Sequence, residues 1–270
     1  MFAWNSSAAM LGSNAMIVVL TLGLIIPLTT GDFDLSVAST MALSSMMVAV
    51  LNVRMDWSIE GAIFMALAAG VAVGAINALF ILWFRIHSLI VTLGTGYFIN
   101  GVVLWISSSA VISGVSTELV RAVILTAVIW YISQHTTLGR RLLFVGRGRE
   151  VARLSGVNVN RARADALIAS STIAALAGVL YTGMRGSADP SSALAFLLPA
   201  FAAAFLGSTT LYPGRFNAPG AVVAVDFLST GIMGLNFMGV PSFVQNLFYG
   251  GGLVVAVSIS QLVRKRRPMD

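Results

Sequence analysis

Four side chains that can form hydrogen bonds lie inside long apolar stretches of this 270-residue chain. They are Asn77, Thr92, Thr95 and Asn100. Amide and hydroxyl groups bind a neutral polar solute weakly enough to release it, so we expect them to line a path through the protein. Asn77 and Asn100 are the stronger candidates, because one amide can bridge two hydroxyl groups. Hydrogen bonds between helices, worth about 0.6 to 2 kcal/mol each, are the alternative role.

A second polar feature interrupts the apolar sequence between Asn14 and Leu51. Residues 30–37 read Thr-Gly-Asp-Phe-Asp-Leu-Ser-Val and bring two carboxylates to the edge of the apolar runs. Asp34 and Ser36 are good helix N-caps, so a plain re-entry turn accounts for them. The functional interpretation is a broken helix whose ends point towards a translocation path, with Asp34 and Ser36 on that path.

One further carboxylate, Asp226, stands within the apolar stretch of residues 222–240. Ionisable residues inside membrane segments are rare and are usually functional. A buried Asp that carries a proton or binds a cation would favour an ion-coupled secondary transporter or a channel that works without ATP. A buried, hydrogen-bonded structural role is the other interpretation, and both require Asp226 to be buried.

The sequence offers little enzymatic chemistry. Its only Lys is Lys265, near the C-terminus, so it contains no Walker A motif, and the common zinc-protease and serine-hydrolase motifs are also missing. It has no Cys, and its two His residues, His87 and His135, are far apart in sequence in loop-like contexts. We therefore expect a protein that is not an enzyme, with no catalytic residues, no metal site and no cofactor of its own.

Membrane helices are the elements that must position these residues. Hydrophobic residues make up 57% of the chain and charged residues only 10%, which excludes a soluble globular domain. Since about 20 apolar residues cross the hydrocarbon layer, the sequence predicts an all-α, polytopic transmembrane helix bundle of about nine spans, in a single domain over residues 1–270. The predicted spans are Asn14–Thr30, Leu35–Leu51, Ile59–Phe84, Leu89–Ile112, Leu119–Ser133, Ala166–Met184, Ala193–Leu211, Ala218–Val240 and Phe243–Leu262.

Small residues within these spans predict close contacts between helices, because they let two backbones approach each other. The glycines concerned are Gly70 and Gly74, which form a G-x-x-x-G motif, and Gly94, Gly96, Gly101, Gly178, Gly231 and Gly234.

Positive charge is distributed unequally between the two sides of the predicted bundle. When the spans alternate in direction, thirteen of the sixteen Lys and Arg residues fall in loops on one side. Cytoplasmic loops are enriched in Lys and Arg, so this side is the cytoplasm, with Met1 outside and Asp270 inside. The net charge of +6 then reflects contact with anionic membrane lipid rather than with nucleic acid.

The most basic segment, residues 134–165, contains seven Arg and is predicted to be a cytoplasmic loop. Within it, Glu150 and Arg153 are spaced i, i+3 among helix-forming residues, and Gly156 is a stop signal. A short amphipathic helix on the cytoplasmic face follows from this pattern, either as a docking element for a soluble partner or as a solvated loop. Its residues are Arg149, Glu150, Ala152, Arg153, Leu154, Ser155 and Gly156.

Five groups of motifs follow one another along nearly the whole chain. They are Asp-Phe-Asp-Leu-Ser-Val at 32–37, Ile-Val-Thr-Leu-Gly-Thr at 90–95, Thr-Thr-Leu-Gly-Arg at 136–140 with residues 148–157, Ala-Gly-Val-Leu at 177–180 with Arg-Gly-Ser-Ala-Asp-Pro at 185–190, and Leu-Gly-Ser-Thr-Thr-Leu at 206–211. In this order they resemble the permease subunits of bacterial ABC sugar importers, the ribose-type family of branched membrane permeases. The chain departs from that family at Asp32, where the family has Gly, and at Pro213–Phe216, which replaces a Gly-Gly-x-Gly turn. Family members usually have ten spans and a cytoplasmic N-terminus.

The resemblance implies a multi-pass permease of the bacterial inner membrane that moves a sugar, a monosaccharide, by alternating access. Two cytoplasmic ABC ATPase subunits would consume the ATP and dock on the Arg149–Gly156 helix. A second permease subunit, identical or different, would complete the path, and an extracytoplasmic solute-binding protein would deliver the sugar. The path would be lined by Asp34, Ser36, Asn77, Thr92, Thr95 and Asn100.

Overall fold

The computed structural model describes residues 2–115, 158–211, 214–241 and 243–265, and their side chains from Ala15 on, except at residues 193 and 260–265. In this part the chain forms the α-helices α1 Phe2–Thr30, α2 Val37–Ala49, α3 Ile59–Leu82, α4 Ser88–Ser107, α5 Val159–Arg185, α6 Leu197–Gly207, α7 Ala218–Phe237 and α8 Phe243–Lys265. The shorter elements are a π-helical turn at Val50–Arg54, the two-residue strands β1 Ile112–Ser113 and β2 Ser187–Ala188, and a 3-10 helix at Ser192–Phe196.

In the described ranges, five helices are long and apolar enough to cross a membrane, which indicates a multi-pass membrane protein. They are α2 with its π-helical turn, α3, α4, α5 and α7. Three other apolar helical segments among the described residues are shorter, at Ala15–Thr30, Leu194–Gly207 and Phe243–Ile259. The predicted span Leu119–Ser133 lies outside the described residues, and the count of about nine spans stays a prediction.

Several predicted boundaries were wrong, because helices begin at caps and not where hydrophobicity begins. Helix α5 starts at Val159, where the Asn158 side chain accepts a hydrogen bond from the Arg161 N–H, so the end of the predicted loop 134–165 is helical. Helix α1 starts at Phe2 rather than at Asn14. Helix α6 starts only at Leu197, because Pro199 cannot donate a hydrogen bond and is tolerated only in the first turn.

The fold divides into two compact units. The central unit comprises Ile26–Leu194, and the terminal unit comprises the chain up to Ile25 together with the chain from Ala195 onward. Within the central unit α2 packs against α3, α4 and α5 and is buried along nearly its whole length. Within the terminal unit α6 packs against α7 and α8, and its core contains Ile17, Ala202, Ala203, Ala224, Val225 and Leu228.

Three predicted glycine contacts hold the central unit together. A Cβ placed on Gly70 would lie 2.9 Å from the Ser171 carbonyl oxygen, and one on Gly74 would lie 2.5 Å from the Ile168 Cα, so α3 and α5 touch through their backbones. A Cβ on Gly178 would collide with the Met41 carbonyl oxygen of α2. These three contacts are confirmed.

The remaining glycines in the prediction give mixed results. In the terminal unit, a Cβ on Gly231 would lie 2.7 Å from the Phe248 ring, which confirms a close contact there, whereas at Gly96 the nearest atoms lie at an ordinary 3.5 Å. The prediction was wrong for Gly94, Gly101 and Gly234, around which a Cβ would meet nothing within 4 Å. These three lie on outward-facing parts of α4 and α7.

The central unit has a rim at each end of its helices. Residues 31–35, 83–88 and 158–163 form one, the Asp32 rim, where the Phe33 N–H donates to Ser88 Oγ at 3.1 Å. Residues 50–58, 107–115 and 185–190 form the Arg54 rim, where β1 pairs antiparallel with β2 and Ile112 faces Ala188. There the Arg54 guanidinium donates to the carbonyl oxygens of Ile106 and Ser107 at the end of α4.

Helices α2, α3, α4 and α5 alternate between these rims in the way that the predicted topology requires. Helix α4 ends at the Arg54 rim, whereas α5 begins at the Asp32 rim. A single crossing by the predicted span Leu119–Ser133 would connect them.

Candidate functional site

The interruption between α1 and α2 is a tight turn. Helix α1 ends at Thr30, and Gly31 has a φ of +80°, a left-handed conformation that glycine adopts at low cost. The N–H groups of Gly31 and Asp32 donate back to the carbonyl oxygens of Leu28 and Pro27 at 3.1 and 2.9 Å. The turn therefore returns the chain directly into α2.

Asp34 anchors the start of α2 from a fully buried position. Its Oδ1 accepts hydrogen bonds from the Ser36 N–H at 3.1 Å and from Ser36 Oγ at 2.6 Å. Ser36 is the N-cap residue of α2, but its side chain makes no capping bond. The predicted re-entry turn is thus confirmed, with Asp34 holding the residue before the helix.

The network continues from Ser36 to α3. Asn77 Nδ2 donates to Ser36 Oγ at 2.9 Å, so one serine hydroxyl connects a carboxylate and an amide. Asn77 and Ser36 are both fully buried.

Helix α4 supplies the other side of the network through Thr92. Thr92 Oγ1 accepts from the Leu35 N–H at 3.0 Å and donates to the Ser88 carbonyl oxygen at 2.8 Å, with the Phe33 carbonyl oxygen at 3.2 Å as a second acceptor. The structure therefore brings together four of the six residues predicted to line a path, namely Asp34, Ser36, Asn77 and Thr92.

Thr95 and Asn100 stay apart from this network. Both are half-buried on α4, and no hydrogen bond of the network reaches them. Because residues five apart on a helix lie about 140° apart around its axis, the two side chains face different directions. Neither position confirms or refutes a role in a path.

Two serines that the sequence did not single out complete the surroundings of Asp34. Ser170 and Ser171 of α5 are fully buried beside its carboxyl group and close enough to act on it, although as placed neither hydroxyl makes a hydrogen bond of good geometry among the described residues. The same holds for Asp34 Oδ2 and Asn77 Oδ1. Burial raises the pKa of the Asp34 carboxyl, and the donors of Ser36 together with the hydroxyls of Ser170 and Ser171 oppose this to a smaller extent.

An ion pair closes the site at the Asp32 rim. Arg163 Nε and Nη2 each donate to a different carboxylate oxygen of Asp32, both at 2.6 Å, in the bidentate geometry typical of strong Arg–carboxylate pairs. The side chain of Asp32 is 3% exposed and that of Arg163 is 17% exposed. Sequence reasoning missed this pair. The available signal was complementary charge in two segments that the topology placed on the same side.

The structure contradicts the prediction that Asp226 is buried. It lies in α7, but it is exposed and not buried, on an outward-facing stripe with Val223, Phe227 and Thr230. Hydrophobicity located the helix, but residue order alone did not show which face packs inward onto α6.

The predicted docking helix Arg149–Gly156 lies outside the described residues and stays a prediction. Among the residues that are described, no group of three or more His, Cys, Asp and Glu side chains could hold a metal ion.

Comparison with known proteins matches residues 7–257 to the family described as "Branched-chain amino acid transport system / permease component". The curated relatives include the D-allose transport system permease protein AlsC of Escherichia coli K12, which is 27% identical over 97% of this chain and 85% of the relative. The ribose import permease protein RbsC of the same strain is 27% identical over 96% of this chain and 86% of its own. The autoinducer 2 import system permease protein LsrD of Salmonella paratyphi B is 27% identical over 88% and 78%. No solved structure matches the chain.

Proposed function

The chain belongs to the family of branched-chain amino acid transport system permease components, and from this membership we propose that it is the permease subunit of an ABC importer for a sugar. The substrate class is supported by relatives whose names specify ribose and D-allose and whose similarity covers nearly the whole chain. A monosaccharide is the substrate that these names favour. The protein would work by alternating access in the bacterial inner membrane.

Such a permease needs partners that supply energy and substrate. Two cytoplasmic ABC ATPases, a second permease subunit and an extracytoplasmic sugar-binding protein would complete the importer. The chain has no Walker A motif, which is in keeping with ATP hydrolysis by separate subunits.

The Asp32 rim is the side of the central unit that we assign to the cytoplasm. It carries Arg161 and Arg163 at the end of the most basic segment, and cytoplasmic loops are the ones enriched in such residues. The opposite Arg54 rim would then face the binding protein.

Arg163 would couple movement of the ATPases to the central unit at this rim. It follows the proposed docking helix Arg149–Gly156 by only seven residues and is tied by two hydrogen bonds to Asp32 in the turn before α2. A rigid-body movement imposed by the ATPases would therefore reach the start of α2, the helix at the centre of its unit.

The sugar would meet the buried network only in part of the transport cycle. Asp34, Ser36, Asn77 and Thr92 bond to one another and to the backbone, so they become accessible only when α2, α3 and α4 move apart. Alternating access supplies such a movement. Neutral amide and hydroxyl groups would then hold a sugar without trapping it.

Co-expression with ABC ATPases and sugar-binding proteins of the same organism tests this proposal. We expect the ATPase to co-purify with the permease and cells to accumulate labelled ribose or D-allose. Ala152→Asp or Gly156→Pro should abolish uptake and reduce ATPase recovery while membrane insertion stays normal. Full uptake and full ATPase recovery in both variants would remove the docking assignment, and no uptake of any monosaccharide by the wild type would remove the sugar assignment.

A further inference from the structure

Four buried side-chain oxygen atoms around the start of α2 make no hydrogen bond of good geometry among the described residues. They are Asp34 Oδ2, Asn77 Oδ1, Ser170 Oγ and Ser171 Oγ. An unsatisfied buried polar group costs about 1 to 3 kcal/mol, and a charged one costs more. Something must therefore satisfy this cluster, which joins the turn before α2 to α3 and α5.

Within the part of the chain that the structure describes, Asp34 forms no ion pair. Arg163, on the same rim, places two donors on Asp32. The other charged or titratable side chains near this end are exposed, namely Arg85 and His87 before α4, and Arg161 and Asp165 on α5. Helix α2 contains no titratable residue, and the segment of α3 that faces the cluster contributes the amide of Asn77.

The contacts of Asp34 also show which atom can accept a hydrogen bond from its carboxyl group when that group is protonated. Ser36 Oγ donates to Asp34 Oδ1 at 2.6 Å and accepts from Asn77 Nδ2 at 2.9 Å, which keeps the carboxyl and the amide next to each other. The second oxygen of each group is the one that lacks a partner. Asp34 Oδ2 and Asn77 Oδ1 are both acceptors when Asp34 is ionised, so they cannot bond to each other in that state.

We propose that Asp34 and Asn77 form a buried proton-binding site, in which Asp34 is a neutral carboxylic acid at pH 7 and its Oδ2–H donates to Asn77 Oδ1. One proton then satisfies two of the four atoms and removes the uncompensated charge. The two serine hydroxyls are donors as well as acceptors and can rotate towards the remaining lone pairs of the same groups or towards the backbone carbonyl four residues earlier. This inference is independent of what the protein transports.

Two alternatives to a bound proton lead to different expected results. An ionised Asp34 would depend on donors from Ser170 and Ser171, so removing both hydroxyls would be severely destabilising. A bound Na⁺ would take the same four oxygens as ligands and would make stability depend on Na⁺ concentration.

Infrared spectroscopy of the full-length permease in lipid nanodiscs tests the proposal directly. We expect the wild type at pH 7 to show a C=O stretching band of a protonated carboxylic acid, which Asp34→Asn removes. Asp226→Asn, which deletes an exposed carboxyl of the same type, is the matched control and should leave the band in place. A wild type that lacks this band, or that keeps it in Asp34→Asn, overturns the proposal.

Thermal stability gives a second test that does not need the infrared assignment. Because the folded protein holds a proton that the unfolded chain releases above about pH 4, wild-type stability should fall as pH rises from 4 towards the folded pKa. Asn mimics the neutral acid, so Asp34→Asn should be at least as stable as the wild type at pH 7 and should lose this slope.

The serine variant and the choice of salt complete the design. Ser170→Ala/Ser171→Ala should lower the midpoint only slightly, and replacing Na⁺ by choline should not change it. A collapse of the double variant together with an unstable Asp34→Asn would establish an ionised Asp34. A midpoint that requires Na⁺ would establish a cation site. Either result contradicts the proposal.

Discussion

Two aspartates that lie in or beside apolar segments differ in burial in this protein. Asp34 is fully buried at the start of α2, where it bonds to Ser36, whereas Asp226 is exposed on α7. The sequence predicted burial for Asp226, which lies deep within an apolar run, and made no prediction of burial for Asp34, which lies in a turn. The difference shows that the burial of a carboxylate in a helix bundle depends on which neighbours pack around it, and not on the hydrophobicity of its own segment.

The glycines also differ in how closely their neighbours pack, and their substitution should give the largest effect on stability. Gly178→Ala in α5 should destabilise the protein by about 3 kcal/mol or more, because the new methyl group collides with the backbone of α2. Gly234→Ala in α7 has open space around it and should be neutral or stabilise by up to about 1 kcal/mol, since Ala favours helix more than Gly. Thermal denaturation of the two variants in the same detergent measures the difference. Equal midpoints would contradict the packing described for the central unit.

Substitution of the two asparagines of the proposed path should give the next largest difference in stability. Asn77→Leu removes a buried hydrogen bond to Ser36 and should cost about 1 to 3 kcal/mol, whereas half-buried Asn100→Leu should cost less than about 0.5 kcal/mol. Melting midpoints measure stability, and uptake by the variants that still assemble measures function. Wild-type uptake by both variants would leave only a packing role for these side chains.

The ion pair at the Asp32 rim should have an intermediate effect. Arg163→Ala removes the bidentate partner of the nearly buried Asp32 carboxylate. It should cost about 1 to 2 kcal/mol, less than for a fully buried pair because Arg163 is partly exposed, with a loss of coupling between ATP hydrolysis and uptake. The exchanged double variant Asp32→Arg/Arg163→Asp should recover part of the stability and part of the coupling. Each single exchange should recover neither. Absence of any recovery, with normal assembly, would argue against a coupling role for this contact.

The smallest effect should come from Asp226. Asp226→Asn changes an exposed group and should alter the stability of the isolated permease by less than about 0.5 kcal/mol. The midpoint in detergent tests this. A large loss would show that Asp226 has a partner within the chain and would break the comparison with Asp34.

The sequence predicted the features that depend on composition and local pattern. Apolar runs predicted the helical fold, G-x-x-x-G predicted the contact of α3 with α5, and the motif at residues 32–37 predicted a turn. It could not predict the Asp32–Arg163 pair or the position of Ser170 and Ser171, because these contacts join residues more than 130 positions apart. The helix start after Asn158 was missed for a different reason, since capping extends α5 beyond its apolar run, whereas the predicted start at Ile59 agrees with α3.

ATP-driven sugar uptake is the central claim, and reconstitution tests it most directly. The permease, with the ATPase that co-purifies with it, is placed in proteoliposomes with the binding protein outside, and entry of labelled ribose and D-allose is measured. We expect uptake that requires ATP on the ATPase side and persists when ionophores collapse proton and sodium gradients. Uptake that stops with the ionophores and continues without ATP would contradict the account and establish an ion-coupled transporter instead.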